Sequence, residues 1–93
     1  MTAIKTYELT TKFDRKKSFY HKARVTVDNS GNKVLTSYTT AVCYIDKDNR
    51  FHRLWDNYSA TTMRHINEFI CQEGIEGGGK DWWCRLPVEK LIL

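Results

Sequence analysis

Only one stretch of this chain carries a helix's start, period and stop together, and it sets what the rest must be. In YSATTMRHINEFICQEGI (58–75), Ser59 is a suitable N-cap, and Tyr58 before it can pack on Met63 as a hydrophobic staple. Met63, Ile66, Phe69 and Ile70 recur at helical spacing as one apolar stripe. Gly74 stands where a left-handed C-cap belongs, with Ile75 placed to fold back on Ile70 in a Schellman arrangement. These signals predict a helix over about 59–73. A lone stripe must bury itself against another layer, and the remainder of the chain is strand-like. The expected fold is therefore α+β: an antiparallel four- to five-stranded β-meander with one helix packed on one face. With 93 residues there is room for one core, so 1–93 is read as a single domain.

The strand signals are alternation and turn residues. Ile4–Phe13 alternates with Tyr7, Leu9, Thr11 and Phe13 on one side, and SFYHKARVTV (18–27) places Phe19, His21, Ala23, Val25 and Val27 together. DNSGN (28–32) reads as a hairpin, because Asn and Gly accept the positive φ of tight turns. KVLTSYTTAVCYI (33–45) reads as one long strand, DKDN (46–49) as a four-residue turn, and RFHRLW (50–55) as the next strand. After the glycines, DWWCRL (81–86) reads as a short strand.

Those glycines, GIEGGGKD (74–81), match the fixed Gly, Gly and Lys positions of a phosphate-binding P-loop. That loop needs a strand before it and a helix after it, whereas Gly74 ends a helix, and Asp81 stands where Ser or Thr is required. A phosphate loop is rejected on those grounds. No apolar run approaches the ~20 residues that cross a bilayer, and MTAIKTYELT is not a secretory signal. Three cysteines cannot all pair internally, so reduced thiols in a cytoplasm are expected. Cys43, His52 and Cys84 could meet around zinc if the 46–49 turn sets Cys43 opposite His52, but the chain lacks paired Cys or His ligand spacings and no cofactor is expected. No group orients a Cys43–His52 nucleophile and no paired carboxylates converge, so an enzyme is not expected.

Binding is the remaining class. Residues 1–33 carry eight Lys/Arg against three acids, and the other 60 carry seven against eight, so an anionic partner would meet the N-terminal part. Tyr20, Lys22, Arg24 and Thr26 share one strand face, next to Tyr38, Thr40 and Tyr44, an aromatic and basic mixture of the kind that holds single-stranded nucleic acid. Arg15, Lys16 and Lys17 add charge nearby. Of Trp82 and Trp83, one should join the core, and the other is a candidate anchor for a protein partner.

KSFYHKARV, KVLTSYTTAVCYI and YSATTMRHINEFI resemble, across residues 17–73, a group of small uncharacterised proteins of bacteriophages, prophages and related mobile elements. Their pattern runs SFYGKA–V, VLxSYxTxVAYI, YSATTxRHIxEFL, and this chain departs from it at His21 and Cys43, where the pattern has smaller residues. The resemblance implies origin more than mechanism. Small proteins of that origin commonly bind host machinery stoichiometrically, and anti-CRISPR inhibitors of Cas nucleases are one such class. The expectation is a binder of a host protein, with a nucleic-acid-binding module using the Tyr20/Lys22/Arg24 face as the alternative.

Overall fold

The computed structural model describes residues 3–15 and 18–90, and within these every strand pairs antiparallel with its neighbour in sequence. Lys16, Lys17 and residues 91–93 lie outside the described residues. The strands are β1 (Ala3–Glu8), β2 (Ala23–Asp28), β3 (Lys33–Ser37), β4 (Thr40–Ile45) and β5 (Phe51–Arg53), followed by helices α1 (Ala60–Gln72) and α2 (Lys80–Arg85). The five-stranded meander with one main helix is the α+β architecture expected from the sequence.

Two of its turns share one device. Asp28 begins a hairpin loop in which its own N–H donates to the Asn32 carbonyl, Gly31 takes positive φ, and its side chain accepts from the Ser30 and Asn32 amides. Asp46 repeats this with Arg50, positive φ at Asn49, and amides from Asp48 and Arg50. Each is a three-residue loop closing on a left-handed residue. The second turn thus closes on Arg50, which pairs Tyr44 with His52 and Cys43 with Arg53. A one-residue change of register flips every side chain, so the expected Cys43–His52 pair does not form.

The run 33–45 is two strands. Ser37 pairs with Thr40 around a two-residue turn, Tyr38–Thr39, with positive φ at Tyr38 (58°) alone. That is the type II′ pattern, whose first position favours glycine. Two further left-handed residues, Tyr20 and His21, turn the chain just before β2, where the Lys22 amide donates to the Phe19 carbonyl. This ends the alternation expected from Phe19 onward and leaves His21 exposed beside Glu8.

The helix is built as read. Ser59 Oγ accepts from the Thr62 amide, and the Schellman bonds run from Ile75 to Ile70 and from Gly74 to Cys71. Met63, Ile66, Phe69 and Ile70 bury against Val25, Leu35, Cys43 and Ile45 of the sheet. The DWWCRL segment is helical, not a strand. Trp83 packs wholly inside, its indole N–H donating to Asn57 O, while Trp82 is half-buried against Phe51. Arg53 replaces a carboxylate partner with carbonyls: it donates to Trp83 O, Leu86 O and Trp55 O, and its guanidinium lies 4.7 Å from the Trp83 ring. A cation there suits the negative end of α2, where Trp83 O also accepts from the Leu86 amide. Gly77 and Gly78 are closely packed: a Cβ on Gly77 would clash with the Trp82 indole, and one on Gly78 would fall 2.9 Å from the Asn67 side chain.

Candidate functional site

At one end of the molecule, the turn before β2, the β3–β4 hairpin and the first turns of α1 enclose a cleft of about 180 Å³. Ser18, Phe19, Tyr20 and Lys22 form one wall, Tyr38 another, and Thr61, Arg64 and His65 the third. The floor is a buried polar cluster in which Ser37 Oγ lies 2.8 Å from His65 Nδ1 and 3.0 Å from Thr62 Oγ1. All three residues are buried, so each hydroxyl and ring nitrogen bonded there offsets a desolvation cost. This joins the helix to the sheet at one fixed register. His65 is further held between rings, with Phe19 at 4.5 Å and Tyr38 at 5.9 Å between centroids.

Of the left-handed non-glycine positions among the described residues, Tyr20 and Tyr38 line this cleft, and His21 follows Tyr20 in the same turn. Such conformations cost roughly 1–2 kcal/mol per residue and persist where their surroundings over-determine them, most often at functional sites. Here the surroundings are plain: Ser18 Oγ accepts from the Tyr20 amide, and the Tyr38 amide donates to Lys22 O at 2.7 Å. The strain presents two rings to solvent, Tyr20 at 68% exposure and Tyr38 at 46%. Lys22 Nζ stands 5.6 Å from the Tyr38 ring centre, and no carboxylate among the described residues pairs with it. Arg64 is instead bidentate to Asp14, with contacts of 2.7 and 3.2 Å.

A second construction holds the β1–β2 connection beside this cleft. Buried Glu68 accepts from the amides of Lys12, Phe13 and Asp14 and from Gln72 Nε2. Burial pushes its pKa up, but the bonds from Gln72 and from the three amides outweigh that and hold it below the usual carboxylate range. The result fixes Phe13, 64% exposed, over a second hollow that it lines with Asn67 and Cys71 of α1.

On the open face of the sheet, His52 bridges two carboxylates. Its Nε2 is 2.8 Å from Asp46 and its Nδ1 is 3.0 Å from Glu89, and Tyr44 stacks on the ring at 4.4 Å. Burial lowers the imidazole pKa, but the two carboxylates more than reverse this and raise it above its ordinary value. The carboxylates lie at opposite ring nitrogens, so the three cannot converge on one ion.

The structure therefore distributes the sequence candidates unevenly. Tyr20, Lys22 and Tyr38 meet in the cleft, while Arg24 lies on the open sheet face opposite Glu8 and Thr36. Tyr44 is stacked on His52, two strands from β2. Arg15 is exposed in the β1–β2 connection, and Lys16 and Lys17 fall outside the described residues. Trp83 is the member of the pair that joins the core, and Trp82 is half-covered against Phe51. Cys43 is buried opposite Arg53, His52 faces the other way, and Cys84 is exposed on α2, so the zinc trio is dispersed. Among the described residues, no group of His, Cys, Asp or Glu is arranged to hold a metal. The sequence reading passes over Ser18, Thr61, Arg64 and His65. Their signal is that the three resembling segments all converge here.

A family model matches residues 7–85, a span that contains every residue lining the cleft and stops short of Glu89. No curated protein and no solved structure matches the chain. With most of its length matched, the chain belongs to the family of unknown function DUF8033.

Proposed function

We propose that this protein works without catalysis, by stoichiometric binding of a host protein through the end of the molecule that carries the cleft. The observation behind this is the grouping there of two exposed aromatics, Tyr20 and Tyr38, with Lys22 beside them. Exposed aromatics on a fixed backbone beside a cation are the anchors that dominate protein interfaces, and the cation favours an acidic partner. The resemblance to phage and prophage proteins makes the partner a component of the host cell, with inhibition of a CRISPR nuclease as one form of this mode. The test is retention of host-lysate proteins on the tagged chain, repeated with Tyr20→Ala and with Lys22→Glu. A partner that elutes as a defined complex with the native chain, is lost with both variants and is kept by Trp82→Ala supports the reading. Retention that is indifferent to Tyr20 and Lys22 overturns it.

A nucleic-acid-binding module is the second reading, favoured by Lys22 standing over Tyr38 beside Tyr20. It predicts single-strand affinity that falls steeply with salt. The working face would be the cleft end, so Arg24→Glu should have less effect than Lys22→Glu.

A further inference from the structure

We propose that the cleft between Tyr20, Tyr38 and α1 is a nucleotide site, taking one heterocyclic ring with its phosphate on Lys22. The inference rests on this cleft being the working site, whichever macromolecule binds around it. Size comes first. About 180 Å³ is ring-sized, since a cavity of about 150 Å³ already admits benzene. The walls come next, because two partly exposed tyrosines offer π faces to a planar ring, and stacking of that kind tolerates any base. Charge is the third element. Lys22 is the cation at the mouth without a carboxylate partner among the described residues, whereas Asp14 neutralises Arg64. One phosphate is thus matched by one available charge. The hydroxyls of Ser18 and Thr61 line the same space and can donate to phosphate or base edge.

Rigidity completes the case. Hydrogen-bonded left-handed backbone at Tyr20 and Tyr38 sets where both rings emerge before any ligand arrives, and the Ser37–Thr62 cluster holds His65 in the cleft wall. A hydrophobic core needs none of these features, and a solvated loop would relax them. A free nucleotide and one residue of a single strand both supply such a ring, and the chemistry is common to both.

The test is calorimetry with amide chemical-shift mapping, using adenosine and uridine monophosphates, an oligothymidylate and inorganic phosphate. The variants are Lys22→Gln and Tyr38→Asn; Asn is chosen because it tolerates positive φ and so keeps the hairpin folded. Saturable mononucleotide binding that shifts Tyr38 and His65 amides and weakens about tenfold or more in both variants supports the site with a free nucleotide as source. Oligothymidylate binding with the same losses, and much weaker mononucleotide binding, supports it with a strand as source. No binding at millimolar nucleotide overturns the proposal. So does binding that both folded variants retain, or phosphate alone binding as well as the nucleotides. None of these failures touches the host-protein reading, which the lysate experiment decides separately.

Discussion

His21 holds a backbone conformation that glycine adopts without cost. It holds φ of 65° directly after Tyr20 at 52°, in a turn whose second central position suits glycine, and glycine is what the resembling pattern has there. Its side chain is exposed and contacts Glu8 alone among the described residues, while its amide donates to the same carboxylate. Replacing it with glycine keeps the amide bond and removes the steric cost. His21→Gly should therefore stabilise the fold by roughly 1 kcal/mol, which in a domain of this size raises Tm by about 4–8 °C. A scanning-calorimetry Tm that falls instead would show that the imidazole–Glu8 contact outweighs backbone strain. The YSATTMRHINEF segment is explained residue by residue in the same way. Ser59 caps, Thr62 and His65 bond Ser37, Arg64 pairs with Asp14, Asn67 accepts from the Gly79 amide, and Glu68 gathers three amides. Such a segment stands out in sequence because nearly every polar side chain has a long-range partner.

Among the elements, the segment after α2 is held most conditionally. Val88 bridges Arg53 in parallel and the Glu89 amide donates to Arg53 O at 2.7 Å, so 88–89 lies as a partial strand along the β5 edge. His52 clips it there through Glu89, with Tyr44 stacked behind the ring and Asp46 on its far nitrogen. Both ring nitrogens can donate only when the imidazole is protonated. Its folded pKa is raised, so the contribution is full below the ordinary value of 6.5 and is lost as pH rises through the folded value. Amide exchange at Glu89, corrected for intrinsic rates, should show protection falling across that interval, and His52→Gln should flatten the dependence. A profile already flat in the native chain would mean the backbone bonds alone hold the segment.

The elements also show what a sequence discloses. The α1 helix was legible at both ends because capping is local, and the meander was legible because alternation and Asp-led turns are local too. The β3–β4 hairpin was not, since Tyr38–Thr39 contains none of the residues that normally mark such a turn. Nor was α2: six residues are too few to separate helical from alternating periodicity, and tryptophan suits a strand. The cleft was half legible. Tyr20, Lys22 and Tyr38 were read as an aromatic and basic group, but as members of a flat sheet face, because the left-handed turns that gather them leave no mark on composition.

Seen whole, the molecule sorts its three thiols into two kinds. Cys43 is buried in the core, and burial pushes its thiol well above the ordinary value, while Cys71 and Cys84 are exposed on the two helices. A thiol reagent needs both access and thiolate. Native protein should therefore take up two equivalents of iodoacetamide promptly and the third only on unfolding, as read by intact mass. Rapid labelling of all three would mean the sheet and α1 separate far more readily than their packing implies.

The meander has a consequence in time as well as in space. Because each strand's partner is the one just before it, the pairings β2–β3, β3–β4 and β4–β5 close over short loops, two of them tied by their own aspartates. Low contact order of this kind favours rapid collapse of the first 53 residues into a ribbon. During synthesis Val25 and Leu35 are made before Phe69 and Ile70, so the strands are available for pairing before their cover. The inner face is then briefly bare, and the arrival of Glu68 at the amides of 12–14, across more than fifty residues of chain, is the event that shuts it.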